Sequence, residues 1–333
     1  MIPKLKILIT GAGGIIGTEM CRRFLKEATT IALDVNGKSE DLEEDIVWEQ
    51  ADIANFNAVE EMCNRHVPDV VIHCAGIAHQ KVGAVSTEDY MRINSEATEN
   101  LAKVAALLNP HVRFIFLSTV SVYGEKNLTQ PVSEDSDCNP SSDYAVSKCD
   151  AERRLIALSE GGALDDLIIL RLAPVYDRCW RLNLDRRVFA LRKITYIRFG
   201  SGLQKMSALA RPNLIDFVHY IVQDMDTHSL NTCSTRNDKK QKLQIFNVCD
   251  ATPYEFRTII RTFKKTGFYP TRPVIFFPLP AVWLACRIAG IVFRNKREWI
   301  HSCYDKLAAD LIYNNEKMLV TGFTPFYNLE NVF

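Results

Sequence analysis

Tyr144 and Lys148 stand four residues apart in the run Tyr144-Ala145-Val146-Ser147-Lys148. On a helix that spacing puts phenol and ammonium on one face, one turn apart. A phenol titrating near 10 is a poor base at neutral pH, and a neighbouring ammonium favours the phenolate and lowers its pKa. A lowering of about two to three units corresponds to ~3–4 kcal/mol, within reach of a partly desolvated pair. Such a pair exchanges a proton with a hydroxyl or carbonyl oxygen. The spacing alone is common, so its meaning rests on the residues upstream.

Upstream, Phe114-Ile115-Phe116-Leu117-Ser118-Thr119-Val120-Ser121-Val122-Tyr123-Gly124 is an apolar run that ends in hydroxyls. Nearer the N-terminus, an apolar run enters Thr10-Gly11-Ala12-Gly13-Gly14-Ile15-Ile16-Gly17 and then a helix-period stretch. In that context Gly11 permits a tight turn and Gly14 lets the backbone approach a pyrophosphate. Gly17 allows close helix–strand packing, and the helix N-terminus at Ile15 and Ile16 presents N–H donors. Asp34 ends the next apolar run, seventeen residues beyond Gly17. A carboxylate there accepts from the ribose hydroxyls and repels a 2′-phosphate, so NAD is favoured over NADP.

The elements that must position these groups alternate. Strands are expected at Lys6–Thr10, Thr30–Asp34, Val70–Cys74, Val112–Ser118 and Leu167–Arg171, with one more at Leu243–Val248. Helical stretches lie near 14–28, 56–65, 86–108 and 141–159. That rhythm predicts an α/β chain with a doubly wound parallel (Rossmann) sheet and ligands at the strands' carboxyl ends. After Arg171 the rhythm breaks, and a smaller, discontinuous C-terminal substrate domain is expected. The predicted domains are 1–174 with 209–248, and 175–208 with 249–333.

Forty basic and forty acidic side chains cancel, so no net field recruits nucleic acid. The ten cysteines include no C-x-x-C pair, which excludes a zinc ribbon, and no metal is expected. They read as small apolar fillers in a reducing compartment, and no signal-peptide pattern opens the chain, so a cytoplasmic setting is expected. Val274–Phe293 is apolar for twenty residues, but Pro278 and Pro280 break it and Arg287 interrupts it. The remainder, 281–293, reads as a buried or amphipathic helix rather than a membrane span, with peripheral membrane contact left open.

As an ordered set these motifs resemble the extended short-chain dehydrogenase/reductase family, the NAD-dependent nucleotide-sugar epimerase/dehydratase group. Further matches are Asp52-Ile53, His73-Cys74-Ala75-Gly76, Asn94 with Thr98-x-Asn100-Leu101, and Pro131-Val132-Ser133-Glu134-Asp135 before Pro140-x-x-x-Tyr144. Arg171-Leu172-Ala173-Pro174-Val175-Tyr176 and the ending Gly322-Phe323-x-Pro325 with Asn328-Leu329-Glu330 also fit. The resemblance implies that Tyr144 is the acid/base, that Lys148 binds the nicotinamide ribose, and that Thr119 hydrogen-bonds the reacting oxygen. It implies adenine contacts at Asp52 and Ile53, and places Cys74, Ala75, Gly76 and Pro174 along the cofactor. Ser118 and His79 would lie near the substrate. The group also commonly forms homodimers through its two long helices, here 86–108 and 141–159.

The departures bear on the reaction. Val120-Ser121 stand where the dehydratase branch carries Asp-Glu, and neither can act as that acid or base, so dehydration is disfavoured. Residues 178–198 carry seven basic side chains, with Arg171 just upstream. Arg178, Arg181, Arg186 and Arg187 suit a diphosphate, since guanidinium presents a fork to phosphate oxygens; the competing reading is a solvated basic face. The leading expectation is a UDP-sugar or related nucleotide-sugar 4-epimerase or 4-keto reductase. The alternatives are a hydroxysteroid or other lipid-alcohol dehydrogenase on the same fold and a non-catalytic NAD-binding regulatory protein.

Overall fold

Short β-rich runs flanked by amphipathic stretches build one central sheet. The computed structural model describes residues 4–40, 42–78, 84–124, 131–189, 193–223, 242–267, 270–294, 297, 300, 304 and 307–333. The strands are β1 (Lys6–Thr10), β2 (Thr29–Asp34), β3 (Val47–Gln50), β4 (Val70–His73), β5 (Arg113–Thr119), β6 (Asp166–Leu172), β7 (Val175–Tyr176), β8 (Tyr196–Phe199), β9 (Lys205–Met206), β10 (Leu209–Ala210), β11 (Lys242–Val248), β12 (Tyr254–Glu255) and β13 (Val274–Phe277). Seven of them form a sheet in the order β11-β6-β5-β4-β1-β2-β3. The pairs β1–β2, β1–β4, β2–β3 and β4–β5 are parallel. The order reverses between β1 and β4, so ligand is expected outside their carboxyl ends, which are Thr10 and His73.

The α-helices among the described residues are α1 (Ile15–Phe24), α2 (Phe56–His66), α3 (Thr87–Met91), α4 (Ala97–Leu108), α5 (Asp143–Glu160), α6 (Leu182–Val188), α7 (Arg211–Gln223), α8 (Phe256–Lys265), α9 (Leu279–Val292), α10 (Glu316–Val320) and α11 (Leu329–Val332). The helix expected at 86–108 is interrupted by a π turn, Arg92–Glu96, between α3 and α4. The edge strand β3 was not foreseen. Its Val-Trp-Glu-Gln sequence is half polar and only partly buried, so it carries neither an apolar run nor a clean alternation.

Two compact units result. The first comprises Met1–Val122, Cys138–Arg171 and Ile215–Phe246; the second comprises Tyr123–Asp137, Leu172–Leu214 and Asn247–Phe333. These units differ from the expected boundaries at 123–137, 172–174, 209–214 and 247–248, all of which fall in the second unit. The reason is long-range pairing: Val132 N–H donates to Ile312 O and Asn314 N–H to Val132 O, both at 2.8 Å. The first unit's core is aliphatic with two strand aromatics, including Leu8, Ile31, Val71, Phe114, Phe116, Leu101 and Leu155. The second unit packs its own core around Tyr176, Tyr196, Phe256 and Phe263. Each fully buried side chain of this size stabilises by ~1.5–3 kcal/mol relative to exposure.

Helix α9 departs from expectation. It is apolar, yet only Gly290 is buried. Among the described residues no helix is long and apolar enough to cross a membrane.

Candidate active site

The glycine turn lies between β1 and α1. Gly11 adopts φ +65°, and a Cβ there would sit 2.8 Å from the Ala75 backbone. A Cβ on Gly17 would fall 2.1 Å from Gly11 O, so only glycine lets α1 pack on the turn. No side chain caps α1 and its first turn carries no acidic residue, so the positive end of its dipole carries no counter-charge of its own and suits an anion. Asp34 closes the turn from β2: its Oδ2 accepts from Gly13 N–H at 2.9 Å, and its Oδ1 from Asn36 N–H at 2.9 Å.

These groups frame a cavity of about 420 Å³ that also includes Ala51, Asp52, Ile53, Cys74, Ala75, Gly76 and Ile77. Of the expected cofactor residues, Gly11, Gly14, Asp34, Asp52, Ile53, Cys74, Ala75 and Gly76 line it. Gly13, Asn36, Ile77 and Ile93 join them without having been anticipated. Ile15 is exposed and Ile16 half-buried at the start of α1, while Gly17 serves packing alone. Pro174 sits in the second unit, where its carbonyl accepts from Leu209 N–H at 3.1 Å. A glycine turn with no room for a Cβ, an uncapped helix N-terminus and a strand-end carboxylate together fit a dinucleotide.

A buried chain of hydrogen bonds fixes the switch point. Ala75 N–H donates to Thr10 Oγ1, and Thr10 Oγ1 lies 2.7 Å from His73 Nδ1. His73 Nε2 lies 2.8 Å from Thr98 Oγ1, whose hydroxyl donates to Asn94 O. Following the protons assigns His73 as the neutral Nε2–H tautomer, accepting from Thr10 and donating to Thr98. Burial agrees, pushing His73 down to about 3.

At the carboxyl end of β5, Thr119 faces Tyr144, which lies in the first turn of α5. The Ser142 side chain caps that helix by accepting from Ala145 N–H at 3.3 Å. Burial pushes the Tyr144 phenol up to about 12, against the pull of a hydrogen bond with Thr119. Burial also pushes the Lys148 ammonium down to about 7, and the Glu152 carboxylate opposes it. The expected lowering of Tyr144 by Lys148 is therefore corrected for the protein alone. Desolvation is the largest influence on both groups, and the Lys148 Nζ lies 3.9 Å above the Phe116 ring.

Two residues missed as site candidates hold this geometry. Asn94, in the π turn, accepts from Ile77 N–H at 2.7 Å and donates to Ser147 Oγ at 3.0 Å. Glu152, 2% exposed, accepts from Arg171 Nη2 at 2.8 Å and from the Ser118 hydroxyl. Periodicity could not have found either, because each acts across elements.

The Ser118 hydroxyl, expected near the substrate, is buried and donates to Glu152. Arg171, just upstream of the basic run, is likewise held by Glu152. Arg181 is half-buried, with Nε 3.4 Å from Asp185 Oδ1 and Nη1 donating to Arg178 O. Arg187 is half-buried on α6, whereas Arg178 and Arg186 are exposed. His79 lies outside the described residues.

A doubly wound sheet with a dinucleotide cradle and a Thr–Tyr–Lys group at its carboxyl edge defines a class of NAD-linked enzymes acting on alcohols. The model of the NAD dependent epimerase/dehydratase family matches residues 7–229, and the chain belongs to that family. The UDP-glucose 4-epimerase of Vibrio cholerae is 30% identical over 336 residues, covering 100% of this chain and 94% of its own. Among solved structures, the UDP-glucuronic acid 4-epimerase of Bacillus cereus in complex with NAD superposes with a TM-score of 0.69. It is 21% identical and covers 98% of this chain and 96% of that one. The UDP-glucose 4-epimerase of Thermotoga maritima with UDP-glucose gives a TM-score of 0.71 at 20% identity, with the same coverage of 98% and 96%. These likenesses match the fold; the family supplies the cofactor, NAD.

Proposed function

We propose that the protein is a nucleotide-sugar 4-epimerase; a 4-keto reductase would use the same residues. The observation that carries the reading is the Thr119–Tyr144 contact beside Lys148, on the sheet edge that also holds the glycine turn and Asp34. The full-length similarity to a UDP-glucose 4-epimerase supports the sugar assignment. NAD, when bound, accepts and returns a hydride at the sugar carbon. Tyr144 takes the proton of the sugar hydroxyl and gives it back on closing the cycle. Thr119 hydrogen-bonds the same oxygen, and Lys148 holds the nicotinamide ribose and sets the charge beside Tyr144. Asp52 and Ile53 take the adenine. Arg178 and Arg186, the exposed pair, serve the nucleotide diphosphate. The buried Val120 and half-buried Ser121 after Thr119 supply no second acid or base, which favours epimerisation over dehydration.

The proposal includes a homodimer through the helices spanning 87–108 and 143–160. Two-fold pairing is the commonest oligomer, and the outer stripe Arg92, Glu96, Lys103 and Leu107 mixes both charge signs, as a self-complementary contact requires. It also includes a cytoplasmic setting, in keeping with the free thiols of the described cysteines.

The test is to denature the purified chain, identify released NAD, and assay UDP-sugars with the wild type and Tyr144→Phe. Tightly held NAD and a 10²–10⁴-fold fall in turnover are expected. Retention of more than about a tenth of the rate removes Tyr144 from the acid/base role. Protein that arrives empty and consumes NADH with a 4-keto sugar is a reductase. Turnover of an apolar alcohol, without inhibition by UDP, selects the lipid-alcohol alternative. A monomeric mass at micromolar concentration contradicts the dimer.

A further inference from the structure

Helix α9 and strand β13, in the second unit, expose apolar surface that the proposed reaction does not use. All four residues of β13, Val274, Ile275, Phe276 and Phe277, are exposed, so this strand lacks the in/out alternation of a half-buried one. On α9, Leu284, Ile288 and Ile291 follow the i, i+4, i+7 spacing of one face and are 54%, 55% and 70% exposed. Trp283 stands beside them at 47%. So many exposed large apolar side chains on a strand and the helix that follows it mark a contact site rather than ordinary solvent exposure.

The charge beside it selects the partner. From residue 256 to residue 297 the chain carries nine Lys and Arg and no Asp or Glu, although the whole protein is neutral. Arg287 and Arg294, seven residues apart, border the apolar stripe; with Arg297, Gly290 and Ile291 they line an opening of about 450 Å³. The Arg287 guanidinium lies over the Trp283 ring at 5.3 Å, and that of Arg198 over Phe276 at 5.4 Å. Aliphatic, aromatic and cationic groups are thus interleaved along β13 and α9.

We infer that α9 and β13 dock the protein on an anionic phospholipid surface. The apolar stripe enters the headgroup–acyl boundary, Trp283 sits at the interface, and the arginines meet lipid phosphates. At ~1.5 Å per residue the 14-residue helix is about 21 Å long, short of the ~30 Å hydrocarbon core, so it lies along the surface. A second copy of the chain would set like charge against like. A nucleic acid would satisfy the arginines and leave the aliphatic stripe in water.

The test is flotation of the full chain with phosphatidylcholine vesicles containing about 30 mol % phosphatidylglycerol, against pure phosphatidylcholine. Flotation with the anionic vesicles, a blue-shifted tryptophan emission and weakening by salt are expected. Arg287→Gln with Arg294→Gln should reduce binding about 25-fold, from ~fivefold for each charge. Ile288→Ser with Ile291→Ser should reduce it at low salt as well. NAD binding should stay intact in both, reporting that the first unit remains folded. Failure of the wild type to float, or equal flotation of both variants, overturns the inference. So does a concentration-dependent dimer that the serine variant abolishes without any vesicle binding.

Discussion

The Asn94 amide donates to Ser147 Oγ at 3.0 Å, and the Ser147 hydroxyl donates in turn to Tyr144 O at 2.9 Å. One side chain in a π turn thereby ties the loop after β4 to the helical turn that carries Tyr144 and Lys148. The same amide donates to Ile77 O at 3.0 Å, and its oxygen lies where a Cβ on Gly76 would meet it at 2.9 Å. The wall of the cavity and the helical turn that carries Tyr144 are therefore tied together by one residue.

Asn94→Leu should orphan the Ile77 N–H and C=O at a cost of ~1–3 kcal/mol for each buried group left unmatched, and should remove the donor to Ser147 Oγ. Urea unfolding should show that loss, and kcat should fall at least about tenfold through misplacement of Tyr144. An unchanged kcat in a folded variant would remove the positioning role.

Glu152→Gln should destabilise the protein by ~3–5 kcal/mol, because Arg171, 5% exposed, is left as a buried charge without its carboxylate. Replacing both by Leu should recover much of the melting temperature. Glu152 also raises the Lys148 pKa, so its neutralisation should move any Lys148-dependent limb of the pH profile to lower pH.

His73 should make stability acid-sensitive. Its pKa falls from 6.5 to about 3 on folding, so between those values the unfolded chain binds a proton that the folded one refuses. The contribution is complete above about 6.5 and is lost as pH falls toward 3, at ~1.4 kcal/mol per unit. Urea midpoints measured from pH 7 to pH 4 check this. A His73→Asn variant should show a shallower slope, and an equal slope would place the acid sensitivity elsewhere.

Asp34→Ala should weaken NAD about tenfold or more and reduce discrimination against NADP. The carboxylate positions the glycine turn through Gly13 N–H, and under the proposed function it is the acceptor for the ribose hydroxyls. Fluorescence titration with NADH and NADPH reads both effects. Unchanged NADH affinity would show that the ribose is held elsewhere.

Much of this was legible in the residues. Strands β1, β2, β4, β5 and β6 follow from short apolar runs, and the roles of Gly11 and Gly17 from the local turn they must make. The Tyr144–Lys148 spacing placed both on one turn of α5 because helical periodicity is local. Asp34 was found the same way, as the polar residue that ends an apolar strand.

Other features depended on the tertiary structure, because their partners are far apart in sequence. Whether Arg171 meets a phosphate or Glu152, and whether Ser118 meets substrate or the same carboxylate, depends on β5, β6 and α5 coming together. The direction of the Tyr144 and Lys148 shifts was decided by burial, which spacing does not encode. The apolar 274–293 segment shows the same division. Its composition set it apart in the sequence, but only the packed second unit reveals that this surface faces outward, because exposure depends on what the rest of the chain leaves uncovered.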